Sequence, residues 1–139
     1  MHYRASMKLI NIQPKAIFQA LSDETRLRIL RLIVTSGEEC CLCELVDSLL
    51  EPSHKLSRHL KILRQAGLLS SHKEGRWVYH RLAMGPPFLE SLHAMVHVLS
   101  DTDGIYSADS ERFRQRLHLR EEGRCRIGIQ VDEFKDERG

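Results

Sequence analysis

The sequence has no long hydrophobic run. None of its apolar stretches approaches the roughly 18 residues that a membrane-spanning helix needs. Residues 1–20 alternate polar and apolar side chains instead of forming the apolar core of a signal peptide. We therefore expect a cytoplasmic protein. Its 139 residues, 42% hydrophobic and 29% charged, fit one compact domain with an appendage and leave little room for a second core.

The sequence also lacks the motifs of common enzyme classes. It contains no phosphate-cradling glycine loop, no nucleophile elbow and no C-x-x-C motif. The alternative is an enzyme that uses adjacent cysteines for redox chemistry, and the absence of these motifs argues against it. We expect that the protein is not an enzyme.

The chain as a whole has no large excess of positive or negative charge. Its 21 Lys and Arg residues against 19 Asp and Glu residues give a net charge of +2, which is too small to indicate a partner. The basic residues are clustered, however, and the segment from residue 53 to residue 82 carries +6 while the rest of the chain carries −4. This segment has one acidic residue, Glu74, and seven basic residues: Lys55, Arg58, Lys61, Arg64, Lys73, Arg76 and Arg81.

Hydrophobic spacing and helix-breaking residues predict a series of helices interrupted by one hairpin. Apolar stripes of helical period are separated by Ser, Asp, Gly and Pro at the expected boundaries. Two short apolar runs flank a glycine-containing turn and predict two strands. The predicted helices cover residues 12–21, 24–34, a short stretch after residue 39, 52–65 and 88–99, and the predicted strands cover residues 68–72 and 77–82.

This order of elements is typical of a winged helix-turn-helix, which is a mainly α fold with a small β-hairpin. The helix before the hairpin has leucines on one side and long polar side chains on the other, at about 100° per residue. A solvated surface helix is the plain alternative, but the hairpin adds a second basic surface where a wing should be. We predict that the DNA-binding residues are Ser53, His54, Ser57, Arg58, Lys61, Lys73 and Arg76.

These residues have different predicted roles. Arg58 has the geometry for a two-pronged contact to guanine, and Lys61 for a phosphate contact. Ser53 and Ser57 lie near the N-terminal end of the helix, where a recognition helix meets base edges. We expect His59, near the apolar side, to be a packed residue instead of a DNA contact.

Three sequence blocks carry a family resemblance. They are ALSDETRLRIL at residues 20–30, LSRHLKILRQAGL at residues 56–68 and EGRWVYHRL at residues 74–82. Together they resemble the ArsR/SmtB family of metal-responsive repressors over residues 12–99. The resemblance implies a homodimer built on the first and last helices, two recognition helices that read an inverted repeat in double-stranded DNA, and release of the DNA when a metal or metalloid binds. The family's base-contacting positions fall on Ser53, His54, Ser57 and Arg58.

The chain then divides into three predicted parts. Residues 1–11 form a flexible arm, and residues 12–100 form the winged helix-turn-helix domain for DNA binding and dimerisation. Residues 101–139 form a charged and partly ordered C-terminal extension, with a possible helix over residues 110–119 and a possible strand over residues 126–131.

Three of the four cysteines lie within four positions, at Cys40, Cys41 and Cys43, and only Cys125 is distant. Cysteines this close cannot cross-link a fold, and in a reducing compartment such clusters indicate a metal site or redox chemistry, with buried apolar thiols as the alternative. Residues 39–45, ECCLCEL, resemble the E-L-C-V-C-D-L box of the arsenic-, cadmium- and lead-responsive members. Cys41 and Cys43 match the two box cysteines, whereas Val46 stands where the best-known arsenic repressors have a third.

Cys40 is the natural substitute for that third cysteine, and Cys125 is another if the extension folds back. Three soft thiolates suit a trivalent metalloid, whereas a tetrahedral zinc or cadmium site needs one more ligand. We therefore expect As(III) or Sb(III) as the effector, bound by Cys40, Cys41 and Cys43. A repressor that responds to Cd, Pb or Zn, a thiol-oxidation-sensing repressor and a DNA-binding protein without an effector are the alternatives.

Two further histidines, His93 and His97, lie one helical turn apart, with Asp101 beyond them. Zinc-responsive relatives place ligands on this helix, but the full set of acidic and histidine ligands is missing here. We interpret these residues as surface histidines near the dimer interface.

The position of the cysteine box predicts how the effector acts. If the third helix begins at Cys40, Cys41 and Cys43 lie about 200° apart and cannot share an ion. Binding would then have to unwind or tilt the first turn of this helix, which directly precedes the recognition helix.

Overall fold

The computed structural model describes residues 13–135, so the predicted arm at residues 1–11 lies outside the described residues. Helices and a small sheet alternate along the chain in the order of a winged helix-turn-helix. The helices are α1 (Pro14–Leu21), α2 (Glu24–Ser36), α3 (Leu42–Leu49), α4 (Ser53–Gln65), α5 (Pro87–His97), α6 (Ile105–Leu117) and α7 (Val131–Lys135), and the strands are β1 (Cys40–Cys41), β2 (Leu69–Glu74) and β3 (Trp77–Leu82).

The mainly α fold with a small hairpin is confirmed, and capping explains its clearest boundaries. The Asp23 side chain accepts a hydrogen bond from the backbone N–H of Arg26 at 3.0 Å and so begins α2. Gly37, with φ of 73°, adopts the left-handed conformation that ends this helix. The core forms where the apolar sides of these helices meet, and it includes Leu56, Leu60 and Leu63 of α4.

The sheet contains one strand more than the sequence indicates. The β2–β3 hairpin is the wing, and β1 pairs with the outer edge of β3, opposing Cys41 to Tyr79. The wing is therefore joined through β1 to the start of α3. The prediction that the third helix begins at Cys40 is wrong, because Cys40 and Cys41 are extended and paired in the sheet.

The C-terminal extension packs on the winged-helix core. Its helix α6 starts at Ile105, earlier than predicted, because the Asp101 carboxylate accepts hydrogen bonds from the backbone N–H groups of Tyr106 and Ser107. Phe113 of α6 lies in the main hydrophobic core. Residues 126–131 form no strand paired in the sheet, and the chain there leads instead into the short helix α7.

A buried ion pair joins the extension to α3. The Arg116 Nε lies 2.5 Å from the Asp47 Oδ2, and both side chains are fully buried. Arg116 also donates hydrogen bonds to the carbonyls of Ile127 and Gly128, and Asp47 accepts from the backbone N–H of Gln130. These bonds hold the segment that follows α6 against α3.

Among residues 13–135, no helix combines the length and the apolar content that crossing a bilayer requires.

Arg116→Met should lower the free energy of unfolding by about 3–5 kcal/mol, because it leaves the Asp47 carboxylate buried without its cation. Urea denaturation followed by circular dichroism measures the loss. The exposed Arg114→Met is the matched control and should change stability by less than about 0.5 kcal/mol. Adding Asp47→Asn to Arg116→Met should restore part of the loss, since the buried charge is removed. Equal stabilities of Arg116→Met and Arg114→Met would contradict this role.

His80 should make stability depend on pH. Burial, together with the charge of Arg64, lowers the pKa of His80 from 6.5 to about 4. Between these two values the unfolded chain binds a proton that the native state excludes, so stability is full near neutral pH and falls as the pH drops from about 7 to about 4. The depressed pKa corresponds to about 3 kcal/mol.

Urea denaturation at a series of pH values measures this dependence. His80→Gln should flatten the profile in that window relative to the wild type, whereas His54→Gln, at an exposed position, should leave it unchanged. A His80→Gln profile parallel to that of the wild type would exclude His80 as the titrating group.

Candidate thiol site and DNA-binding face

Cys41 is the residue from which α3 begins. Its backbone is extended, with φ of −91° and ψ of 162°, and its N–H donates to the Glu44 Oε1 at 3.0 Å. Glu44 therefore caps the first turn, three residues into the helix. Because successive strand residues face opposite sides of a sheet, Cys40 packs into the main core and Cys41 faces away from it.

Three thiols meet on that second side, and we call Cys41, Cys43 and Cys125 the thiol cluster. They are buried together with Tyr79 and packed against Trp77. The sulfurs of Cys43 and Cys125 lie 3.5 Å apart, and all four cysteines of the chain are free thiols. The structure thus brings together the two box cysteines and Cys125, and it does not bring Cys40 to them.

The structure removes the reason for expecting that effector binding must unwind the first turn of α3. It assumed that Cys41 and Cys43 are both helical and point about 200° apart. Cys41 lies before the helix, so its direction is independent of the helical repeat, and its thiol contacts the same cluster as Cys43.

The three thiols have different acidities. A hydrogen bond with Cys41 lowers the pKa of Cys43 to about 7, and Cys125 and the Arg116 charge act in the same direction. The same bond with Cys43 raises the pKa of Cys41, and burial raises the pKa of Cys125 to about 11. Cys43 is therefore the most acidic thiol of the cluster and the one that most readily forms a thiolate, which is the nucleophilic form of cysteine.

Two arginines of the extension enclose the cluster. Arg120 makes a two-pronged ion pair with Glu44, at 2.7 Å and 2.9 Å, and also donates to the carbonyl of Glu39 at 2.7 Å. Arg124 lies 3.9 Å from the centre of the Tyr79 ring and pairs with both Glu39 and Glu74. The N–H of Cys125, the residue that follows Arg124, donates to the Tyr79 hydroxyl at 2.8 Å.

The sequence analysis missed Glu44, Tyr79, Arg120 and Arg124 as parts of this site. Their roles depend on contacts between distant segments, so no spacing in the sequence indicates them. The one available signal is the position of Cys125 inside an arginine-rich stretch of the extension.

Within residues 13–135, two groups of side chains have the spacing of metal ligands. In the first, a Glu44 oxygen lies within 4.8 Å of the sulfurs of Cys41 and Cys125. The second consists of Glu39, His72 and Glu74, whose carboxylates pair with Arg124. His93 and His97 belong to neither group.

The predicted DNA-binding residues lie on α4 and at the tip of the wing, and Ser57 and Arg76 line one cavity between these two elements. His54, Ser57, Arg58 and Lys61 are exposed along α4, and Ser53 is half-buried at its first residue. Lys73 and Arg76 are exposed at the tip of the wing, where Gly75 has φ of 62°. Within the described chain none of the four cations pairs with a carboxylate. His59 is buried, with its Nδ1 3.0 Å from the Arg26 Nη1, which is the packed role expected of it.

Comparison with known proteins gives one consistent family. The family model described as "Bacterial regulatory protein, arsR family" matches residues 23–71. The arsenic resistance transcriptional regulator ArsR2 of Pseudomonas putida is 40% identical over 99 residues, which are 71% of this chain and 84% of that protein. The arsenical resistance operon repressor of Escherichia coli is 46% identical over 70 residues, which are 50% of this chain and 59% of that protein.

The fold has solved counterparts. HlyU from Vibrio cholerae N16961 superimposes with a TM-score of 0.53 and 25% sequence identity, covering 70% of this chain and 95% of HlyU. The winged-helix order of elements, the match to the family model and the similarity to ArsR2 over most of its length agree. The chain belongs to the arsR family of bacterial regulatory proteins, which are transcriptional regulators and not enzymes.

Proposed function

We propose that the protein is a repressor that binds an inverted-repeat operator as a homodimer, and that As(III) or Sb(III) binding to Cys41, Cys43 and Cys125 releases it. The observation that carries this proposal is the thiol cluster, in which Cys125 of the extension lies 3.5 Å from Cys43. The relatives in Pseudomonas putida and Escherichia coli are named for arsenic and arsenical resistance, which supports the same effector class.

The chemistry of the cluster fits a trivalent metalloid. Arsenite, As(OH)₃, exchanges its three hydroxyls for three sulfurs, and three molecules of water leave with the three thiol protons. Cys43, whose pKa of about 7 is the lowest of the cluster, attacks first as its thiolate, and the proton that it has released to solvent returns to the departing hydroxyl. The three-sulfur set matches the soft, three-coordinate preference of the ion, so we replace Cys40 by Cys125 in the expected ligand set.

DNA binding is assigned to the basic surface of α4 and the wing. The residues are those predicted from the sequence, with Ser53, His54, Ser57 and Arg58 at the base edges, and Lys61, Lys73 and Arg76 at the backbone. The exposure of all of them except the half-buried Ser53 supports this assignment.

The effector site and the DNA surface are linked through two paths, one through the hydrogen bonds of the sheet and one along the chain. Cys41 belongs to β1, which pairs with β3 of the wing, and Cys43 belongs to α3, which leads directly into α4. A ligand that binds the thiols of both Cys41 and Cys43 changes the spacing between the wing and the recognition helix. Release requires that the ligand prefer the DNA-free arrangement, and a preference of about 3 kcal/mol changes DNA affinity by about a hundredfold.

An apolar groove between α1 and α5 is the proposed dimer surface. Pro14, Ile17, Phe18, Phe88, Ser91, Leu92 and Met95 line it. Phe18 is 66% exposed, an unusual state for a phenylalanine in a free monomer. A second copy of the chain buries this groove against its own, and the two recognition helices then face the two halves of an inverted repeat.

A divalent ion such as Cd²⁺, Pb²⁺ or Zn²⁺ is the second candidate effector. Its tetrahedral site needs a fourth ligand, and Glu44 has an oxygen within 4.8 Å of Cys41 and Cys125. Arg120 holds this carboxylate in an ion pair, so the fourth bond is made only at the cost of that pair. We therefore favour the trivalent ion.

Thiol oxidation is the third candidate signal. Cys43, with its pKa of about 7, and Cys125 lie 3.5 Å apart, which suits a disulfide formed by a peroxide that removes two electrons and two protons and leaves as water. DNA release by peroxide, compared with release by arsenite in the presence of a reductant, separates the two signals.

Alanine substitutions at single cysteines test the proposed ligand set. Cys41→Ala, Cys43→Ala and Cys125→Ala should each bind promoter DNA within about threefold of the wild type and lose most of the response to arsenite, because two sulfurs hold the ion far more weakly than three. Fluorescence anisotropy of labelled promoter DNA, titrated with arsenite, antimonite, cadmium, lead and zinc, measures both properties.

Cys40→Ala is the matched control, since Cys40 is buried on the opposite side of β1. It should respond to arsenite as the wild type does. A Cys125→Ala variant with an unchanged arsenite response, combined with an unresponsive Cys40→Ala, would return the ligand set to Cys40, Cys41 and Cys43.

Phe18→Glu should convert the dimer to a monomer, because it places a charge in the apolar groove, and operator affinity should fall at least about tenfold. Analytical ultracentrifugation and DNA-binding titrations measure the two effects. Met84→Glu, at a residue that is 68% exposed and outside the groove, should remain dimeric. A dimeric Phe18→Glu protein would show that the subunits associate through another surface.

A further inference from the structure

Three side chains of types that bind metal ions meet at the wing: Glu39, His72 and Glu74. Glu39 lies directly before β1, and His72 and Glu74 belong to β2. Tyr79 of β3 lies between these two strands, since it opposes His72 on one side and Cys41 on the other. Opposed residues, and residues two apart along a strand, face the same side of a sheet. The three side chains therefore lie on the side of the sheet that carries Tyr79.

The distances between these side chains are those of metal ligands. Their potential ligand atoms lie within 4.8 Å of one another. The His72 Nε2 is 3.0 Å from the Glu74 Oε2, which is a hydrogen-bond distance. The His72 Nδ1 is 3.6 Å from the Glu39 Oε1, which is too long for a hydrogen bond. Two ligands of a tetrahedral Zn²⁺ ion, each about 2.1 Å from the metal, are about 3.4 Å apart.

The hydrogen bond to Glu74 fixes the state of the His72 ring. Hydrogen bonds from Arg124 and His72 lower the pKa of Glu74, so near neutral pH its carboxylate is ionised and only accepts hydrogen bonds. In a neutral imidazole the proton then lies on Nε2, and Nδ1 carries a free lone pair. A metal-binding histidine commonly donates its other ring N–H to a carboxylate in this way.

The two atoms that face each other across 3.6 Å are both without a partner. Within the part of the chain that the structure describes, the His72 Nδ1 and the Glu39 Oε1 are buried and make no hydrogen bond. Each offers a lone pair to the other, and burial without a hydrogen bond is unfavourable for both. A cation between the two atoms would satisfy both lone pairs.

Arg124 leaves room for such an ion. It pairs with the Oε2 of Glu39 at 3.1 Å and with the Oε2 of Glu74 at 2.7 Å, so the Oε1 of Glu39 stays available. Hydrogen bonds to the far oxygen of a ligating carboxylate are the usual outer support of a metal site. Two carboxylates also exceed one guanidinium by one negative charge, which favours an incoming cation.

We propose that Glu39, His72 and Glu74 bind a divalent transition-metal ion, Zn²⁺ in the first place, with water completing its coordination. An imidazole nitrogen and carboxylate oxygens without sulfur suit Zn²⁺, Co²⁺ or Ni²⁺, whereas trivalent arsenic prefers thiolates. The site is separate from the thiol cluster and independent of the effector proposed for it. The bound ion ties β2 to the segment before β1 and so holds the wing against the start of α3.

Isothermal titration calorimetry with Zn²⁺, on the full-length chain under reducing conditions, tests the site. The background is a variant with both Cys41→Ala and Cys125→Ala, because it removes sulfurs that could bind Zn²⁺ in the thiol cluster. This background protein should bind one Zn²⁺ per chain at the wing. Adding Glu39→Gln or His72→Gln should weaken that binding at least about tenfold, since each removes a ligand.

His54→Gln is the matched control, since His54 is an exposed histidine on α4. In the same background it should leave the Zn²⁺ affinity within about twofold. The wild type provides a second comparison, in which His72→Gln should remove one bound Zn²⁺ per chain while the cysteines are intact. Circular dichroism verifies that each variant is folded.

Co²⁺ identifies the donor atoms. In the background protein it should give visible d–d absorption bands without the near-ultraviolet charge-transfer band of a cobalt–sulfur bond, and His72→Gln should remove the visible bands. Thermal unfolding gives a further readout. Free Zn²⁺ at a hundredfold excess over its Kd should raise the Tm of the background protein by about 5–10 °C, and that of its His72→Gln variant by less than half as much.

Three results would overturn the site. They are a background protein that binds no Zn²⁺, Zn²⁺ affinities that are equal within twofold with and without Glu39→Gln and His72→Gln, and a sulfur charge-transfer band from Co²⁺ in the background protein. Each of these leaves the arsenite response of the wild type unaffected. Conversely, a wild type that does not respond to arsenite would leave the Zn²⁺ site at the wing intact.

Discussion

The ion pair between Arg116 and Asp47 is the contact on which the functional site depends. Both groups are fully buried, and neither tolerates burial without the other, because an unpaired charge in the interior is strongly unfavourable. Once Arg116 is bound to α3, its further hydrogen bonds to Ile127 and Gly128 determine the path of the following chain. That path carries Cys125 to Cys43, so a charge interaction between two helices decides which sulfurs meet.

The side chains around the thiol cluster pair positive with negative charges and keep the three thiols buried. Arg116, Arg120 and Arg124 approach it from the extension, and Glu44 and Asp47 of α3 compensate two of them. A thiolate on Cys43 is tolerated there because a hydrogen bond and a nearby guanidinium stabilise it. The pKa values of Cys41 and Cys125 are raised in the same enclosure, so Cys43 is the most acidic of the three thiols.

Sheet pairing places the thiol cluster next to the proposed DNA-binding surface. The two-residue strand β1 joins the wing to the residue from which α3 begins, and α3 is followed after three residues by the recognition helix. The proposed ligand site and the proposed DNA-binding surface therefore share one short segment. Cys41 and Cys43 also line one cavity together with Ser57 of α4 and Arg76 of the wing.

Much of this fold was predictable because its determinants are local. The leucine spacing of α4, the Asp23 cap and the glycine turn of the wing each act within a few residues, and the order of elements follows from them. The cysteine box and the family were equally readable from short segments. The start of α3 could not be predicted from short segments, because Cys40 and Cys41 are extended only through pairing with β3, some 40 residues later in the chain.

The sequence by itself determined a winged-helix regulator with a basic recognition helix and a pair of box cysteines. Only the tertiary structure decided that Cys125 packs beside these two cysteines. Cys43 and Cys125 are 82 positions apart, and no periodicity relates residues at that distance. Their contact results from the docking of charged side chains across the surface of α3, and such pairings depend on the complete three-dimensional arrangement of the chain.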